Sequence, residues 1–360
     1  MWPFPSGKGT RKIVFYSRGC GAINHLLKAL SLSPGEKILL PSYLCRDVIE
    51  VFEAAGVTVE YYSIDQTCQF DIQQLEDQID SDTRLVYVVH YFGFPQNTEE
   101  VRRITRRRSV HLVEDCAHSL FGRYQNRWLG EFSDAAIFSI RKVLPVPDGG
   151  ALLVNNPSIK PPPVNRVHRQ KEFFRTAKLL SKGLLWYLQC HPSPILRRLA
   201  SNEPESVEKG NLSTKFDGCS RMMSDISWKV MKNCEIQTVT SIRRRNFEFY
   251  LKSLAGAPFI DSLYTRLPEE VVPFSFPVLV ENRDQVLHDL GLRGVFLNNG
   301  FPEAPMVSVS NLAGPVDFPG TEFLAQHLLE LPVHQDLCQG HLQKVIDVLY
   351  LSLSGLPLPK

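Results

Sequence analysis

Six short apolar runs punctuate the first half of the chain, and this spacing limits its fold more than any other feature. The runs are KILLPS (37–42), TVEYYSI (58–64), RLVYVVH (84–90), VHLVED (110–115), AAIFSI (135–140) and ALLVNN (151–156). Helix-like amphipathic segments lie near 21–32, 43–55, 71–79 and 97–107. Strands separated by helical crossovers predict a mainly parallel sheet with helices on both faces, a three-layer α/β/α arrangement. Such sheets bind ligands beyond the carboxyl ends of their strands, so polar residues at those ends are the first candidates for chemistry.

The second half has a different character. Pro161, Pro162 and Pro163 interrupt regular structure. A helical stretch follows at about 170–189, then the polar loop SNEPESVEKGN (201–211), then one long helix expected at about 223–253. FSFPVLV (274–280) reads as a strand, 281–294 as a helix stopped by Gly294, and 341–353 as a closing amphipathic helix. The expected division is a large unit at 1–240, including the helical segment 161–220, and a smaller C-terminal α/β unit at 241–360.

Composition narrows the function classes. A net charge of +2 over 360 residues supplies no general field for gripping nucleic acid. The eight cysteines form no CxxC pair and no zinc-spaced cluster, which suits buried thiols in a reducing compartment. The N-terminal segment MWPFPSGKGTRK lacks an apolar signal core, and no run reaches the ~18 apolar residues of a membrane span. These features predict a cytosolic protein. The basic run RRITRRRS (102–109) reads as a solvated helix face. The segment 171–190 has Lys171, Arg175, Lys178 and Lys182 opposite Phe173, Ala177, Leu180, Leu184 and Leu188. It is expected to pack against the protein or a second subunit, with contact to a membrane surface as the alternative.

Four local patterns could carry chemistry. Asp115 ends a strand, where a buried carboxylate can hold a proton on a ring nitrogen. Lys142 follows another strand, where an amine can enter a cavity as a nucleophile and proton shuttle. Ser139 precedes it by three residues, and Gly149 and Gly150 permit a tight turn after it. Gly19, Cys20 and Gly21 open a helix whose N-terminal N–H groups can hold a phosphate. Tyr43 follows a strand end, placed either to stack on a planar ring or to pack in the core. His90, Tyr91 and Phe92 border the same edge.

The order of these pieces resembles fold-type-I pyridoxal-phosphate enzymes, and more closely the DegT/DnrJ/StrS sugar aminotransferases. The resemblance rests on PSYLC (41–45), the stretch 64–95, VEDCAHS (113–119), RYQNRWLGEFSDAAIFSIRK (123–142), the helix at 222–246 and LLELPVHQDL (328–337). It implies pyridoxal 5'-phosphate on Lys142, Asp115 at the pyridinium nitrogen, and His118 near the phenolic oxygen. It also implies Tyr43 on the ring face, with Gly19, Cys20, Gly21 and Ser139 around the phosphate. It further implies a homodimer moving an amino group from a donor such as glutamate to a keto group on a nucleotide-linked sugar. Arg18, Arg141 and Arg221 are candidates for the donor carboxylate. The alternatives are a lyase or non-sugar aminotransferase using the same cofactor, and a non-catalytic sensor or scaffold on the same fold. The chain departs from the family pattern in three places. Cys20 replaces a threonine in the phosphate turn, GCSRM (218–222) lacks the asparagine that a neighbouring subunit supplies, and Ser139 lies closer to Lys142 than usual. Asp148 fits the acid before the glycine pair only loosely.

Overall fold

The computed structural model describes residues 11–165, 216, 219–304 and 317–354. The amphipathic segment 171–190 and the polar loop 201–211 lie outside them. The first unit is a seven-stranded sheet built from β1 (Lys12–Tyr16), β2 (Lys37–Pro41), β3 (Thr58–Tyr62), β4 (Thr83–Val89), β5 (His111–Asp115), β8 (Ala135–Phe138) and β9 (Gly150–Val154). Its strand order is β1-β9-β8-β5-β4-β2-β3. Strands β2, β3, β4, β5 and β8 pair in parallel, whereas β9 runs antiparallel to both neighbours. Every residue of β2 and β9 is buried, the signature of a sheet covered on both faces. A small hairpin, β6 (Arg123–Tyr124) and β7 (Arg127–Trp128), turns through Gln125 and Asn126 with φ of 50° and 61°.

The crossover helices are α1 (Gly19–Leu30), α2 (Arg46–Ala54), α3 (Ile72–Gln78) and α4 (Thr98–Arg107). Each buries one stripe and shows the other to solvent. In α4 the buried stripe is Thr98, Val101, Ile104 and Thr105. Arg103, Arg106, Arg107 and Arg108 are exposed, as the solvated-face reading of the basic run expects. Arg102 differs. Its guanidinium grips Asp134 with two bonds, at 2.5 and 2.8 Å.

The long helix expected at 223–253 is two helices, α5 (Asp225–Lys232) and α6 (Ile236–Ser253). Asn233 caps the carboxyl end of α5 and Glu235 takes an extended conformation, so the path breaks between them. The boundary placed near residue 240 falls inside α6, and we propose α6 as the element shared by both units. A three-stranded antiparallel sheet follows, ordered β10 (Asp261–Ser262), β11 (Ser275–Leu279), β12 (Leu328–Pro332). Helices α7 (Arg283–Leu292), α8 (Pro319–His327) and α9 (Gln339–Leu353) accompany it. Among the described residues no helix is long and apolar enough to cross a membrane.

Asp134 anchors the edge of the sheet away from the strand carboxyl ends. It accepts from Arg102, from Leu112 N at 2.9 Å and from Asn156 Nδ2 at 3.0 Å. Burial pushes its carboxyl upward, but bonds from His111, Arg102 and Leu112 outweigh it and hold the pKa well below the usual range. A depressed native pKa contributes stability above the unfolded value, near pH ~4, and that stability is lost as pH falls further. Asp134→Asn is expected to lower unfolding free energy by about 2–4 kcal/mol at pH 7, and by less at pH 3, in urea titrations at the two pH values.

Candidate active site

The chain turns back on itself between β8 and β9 without a crossover helix. Phe138 ends β8, Ile140–Lys142 form one 3-10 turn, and Gly150 starts β9. The turn therefore lies at the carboxyl edge of the parallel strands. The adjacent strand β5 ends there at Asp115. Strand β1 also ends at this edge, so α1 begins there too. Glycines allow the close approach. A Cβ on Gly150 would lie 2.3 Å from the carbonyl carbon of Arg18, and Gly149 takes φ +146° while its N–H bonds Ser17 O at 2.8 Å.

One cavity opens at this edge. Its wall includes Gly19, Cys20, Asp115, His118, Ser139 and Lys142, so six of the expected site residues meet. Arg18 and Arg141 also line it, whereas Arg221 does not. Leu44, Cys45 and Phe301 complete much of the apolar lining. Tyr43 does not reach the cavity. It is fully buried in the core, its hydroxyl accepting from Phe301 N at 3.1 Å and its carbonyl accepting from Tyr91 Oη at 2.5 Å. The next residues, Leu44 and Cys45, take the wall instead. His90, Tyr91 and Phe92 are likewise buried outside the wall.

Asp115 is held rigidly. Tyr87 Oη donates to its Oδ2 at 2.7 Å and Ala117 N donates to its Oδ1 at 2.8 Å. Beside it, Glu114 points into the protein, where it accepts from Gly130 N, Phe132 N and Ser133 Oγ and pairs with His90 Nε2 at 3.0 Å. Burial would raise the Glu114 pKa, but His90 and these donors hold it low. The two adjacent acids thus serve different ends: Glu114 is consumed by structure, and Asp115 faces the cavity.

His118 lies between Lys142 and an aromatic wall. Its ring stacks on Phe274 at 4.2 Å and 4°. Burial, and next the neighbouring lysine, push its pKa well below the ordinary range, so the ring is neutral at pH 7. Its Nδ1 accepts from Phe92 N at 3.4 Å. Its Nε2 lies 3.0 Å from Lys142 Nζ, within hydrogen-bond contact.

The helix start behaves differently at each of its three small residues. No side chain caps α1 and no acid lies in its first turn, so its dipole is open to an anion there, although the Gly21 N–H already donates to Arg18 O at 3.2 Å. Gly19 faces the cavity, and an added Cβ there would make only ordinary contacts at 3.7 Å. Gly21 is glycine for another reason: a Cβ would lie 2.0 Å from Cys219 O. The segment that lacks the family's asparagine is sewn onto this turn. Ser17 Oγ donates to Cys219 O at 2.9 Å, Ser17 N to Arg221 O at 2.7 Å, and Asn24 Nδ2 to Ser220 Oγ at 3.0 Å. The free Cys20 thiol is hydrogen-bonded to the Cys219 side chain, and that bond, followed by burial, pushes its pKa far up. Asp148 accepts from Ser224 Oγ at 2.7 Å and Ser227 Oγ at 2.5 Å, fixing the start of α5.

Two further residues back the site, Tyr87 behind Asp115 and Phe274 behind His118. Tyr87 was legible as an alternate residue in its strand. Phe274 lies far along the chain and gave no local signal.

The model of the DegT/DnrJ/EryC1/StrS aminotransferase family matches residues 7–164 and 206–350, and the chain belongs to that family. A dTDP-3-amino-3,4,6-trideoxy-alpha-D-glucose transaminase from Streptomyces venezuelae is 25% identical over 348 residues, covering 94% of this chain and 82% of that one. GDP-perosamine synthase from Escherichia coli O157:H7 is 25% identical over 146 residues, and that match spans only 40% of either protein. The crystal structure of S. venezuelae DesV in complex with a ketimine intermediate is similar at a TM-score of 0.70 and 22% identity, covering 96% of this chain and 85% of that one. This likeness establishes the fold as that of the family's solved members.

The glycines separate packing from ligand contact. Gly21→Ala is expected to destabilise by about 1–3 kcal/mol through its clash with the Cys219 backbone. Gly19→Ala is expected to stay within about 0.5 kcal/mol. Urea denaturation of the two variants checks this, and equal losses would contradict it.

Proposed function

We propose that this protein is a pyridoxal 5'-phosphate-dependent aminotransferase acting on a nucleotide-linked keto sugar, with glutamate as amino donor. The observation that carries the reading is the meeting of the Lys142 amine and the Asp115 carboxylate in one cavity beside an uncapped helix start. Two relatives support the sugar substrate, because their names join a nucleotide diphosphate to a sugar.

The residues present fit the cofactor's chemistry. A phosphate suits the open N-terminus of α1, with Gly19 and Ser139 in the wall and Arg18 at its mouth. A ring nitrogen needs a fixed carboxylate, and Asp115 is fixed by Tyr87 and Ala117. A carbonyl carbon needs an amine, which Lys142 supplies. When bound, the cofactor serves as the electron sink that stabilises a carbanion at the substrate's α-carbon. Lys142 Nζ would first hold the cofactor and then move the proton between that α-carbon and C4′. Asp115 would keep the ring nitrogen protonated. His118 would offer a neutral imidazole to the phenolic oxygen and orient Lys142. Arg18 and Arg141 are the cavity-lining candidates for the donor carboxylate. Cys20, engaged with Cys219, would contribute its backbone more than its thiol. Tyr43 would act from the core rather than on the ring face.

We further propose a cytosolic homodimer. The apolar Ile226, Trp228 and Val230 are exposed on α5, which suits a subunit contact, and the cysteine usage suits a reducing compartment.

The test is an absorbance scan of the protein with pyridoxal phosphate, before and after borohydride, with peptide mapping. The expected result is a visible band abolished by reduction and a single adduct on Lys142. Lys142→Ala should lose the adduct and lower amino transfer from glutamate by at least about 10²-fold. An adduct elsewhere, or none, would overturn the assignment.

A further inference from the structure

Arg243 heads the fully buried side chains of the described residues in size, at 2% exposure. It projects from α6 and touches no cavity residue through a hydrogen bond. Its guanidinium donates to Pro273 O at 3.2 Å, Phe274 O at 3.1 Å, Val143 O at 3.2 Å and Gln335 Oε1 at 3.1 Å. All four acceptors are neutral carbonyl oxygens. Burial pushes its pKa down to about 10, with Asp336 partly opposing. It remains a cation at pH 7, and among the described residues no carboxylate is in hydrogen-bond contact with it. Such a group is an expensive way to fill a core, because an apolar side chain of similar volume avoids the desolvation.

What the cation holds explains its position. Val143 is the residue after Lys142. Its carbonyl receives two donors, Arg243 Nη2 and Gln335 Nε2, each at 3.2 Å. Gln335 in turn accepts from Arg243 Nε, so the three groups close a triangle. Phe274, held by Arg243 Nη1, is the ring on which His118 stacks. One side chain from α6 therefore fastens the backbone behind the lysine and the wall behind its histidine partner. It joins the turn between β8 and β9 to the segment that leads into β11.

We propose that Arg243, with Gln335, is a positioning residue for Lys142: a buried bracket that sets the lysine nitrogen against His118 Nε2. This rests on the reading of Lys142 as the reactive amine. A bracket of this kind acts on orientation, where a displacement of about 1 Å can cost 10²-fold in rate.

The test uses the purified protein without cofactor and an amine-acylating reagent, with peptide mass spectrometry reading the labelling of Lys142 across pH 6–10. The variants are Arg243→Met, Arg243→Lys and Gln335→Leu. The bracket predicts that Arg243→Met and Gln335→Leu move the midpoint of Lys142 labelling by at least half a pH unit while surface lysines stay unchanged. Arg243→Lys should restore part of the shift. In protein loaded with pyridoxal phosphate, the kcat of both should fall about 10–100-fold, with the KM for glutamate within twofold. Profiles and kcat that match the parent, with only Tm lowered, would show a purely structural role and overturn the proposal. Gln335 is only partly buried, so Gln335→Leu decides the matter should Arg243→Met fail to fold. If borohydride fixes no cofactor on Lys142 of the parent protein, the aminotransferase reading fails, whereas the labelling profile still judges the bracket on its own.

Discussion

The structure depends on one reversal of the chain. A strand that continues a parallel sheet needs a crossover long enough to return to the starting edge, and residues 139–149 supply none. Strand β9 must therefore run antiparallel beside β8, and the connection stays at the edge where β5 also ends. The Lys142 amine rides on that connection, and the Asp115 carboxylate closes the neighbouring strand. Two residues far apart in sequence become neighbours because the turn is too short to go anywhere else. The backbone contact of Gly150 with Arg18 and Gly19 then brings the start of α1 to the same place.

Packing around this edge divides the polar residues into those that build and those that face the cavity. Glu114 and Asp115 are adjacent, but the alternation of a strand sends them to opposite sides. Glu114 ties β5 to the 130–133 segment, and Asp115 stays open to the cavity with two donors behind it. The cysteine in the helix turn shows a similar division. Its thiol is turned to Cys219, and no side chain caps the helix start it belongs to. The segment carrying Cys219 packs against that turn from within the same chain.

Much of this was legible in the sequence, and the misses have physical causes. Strands β2, β4, β5 and β8 announced themselves because near-complete burial makes them largely apolar runs, and the carboxyl ends of β5 and β8 led straight to Asp115 and Lys142. The break at 233–235 was invisible because no glycine or proline marks it and the apolar spacing carries on across it. The hairpin at 123–128 was missed because it pairs only two residues on each side, too few for alternation to show. Tyr43 illustrates a different limit. Its place after a strand was read correctly, but the direction of its side chain is set by Phe301 and Tyr91, which arrive from elsewhere. Arg243 had no signature at all, since a buried arginine bound to carbonyls looks in sequence like any surface arginine.

The backbone seam between Phe92 and Phe274 reaches beyond the chemistry. Phe274 N donates to Phe92 O at 2.8 Å, and Gly93 sits so close to Val272 that a Cβ would lie 2.4 Å from its carbonyl oxygen. Through this seam the later part of the chain supplies a permanent side of the chamber. The two units are consequently not interchangeable cassettes. A chimera joining the first unit to a relative's C-terminal portion would have to recreate a glycine-tight backbone junction before its histidine found a ring to lie against.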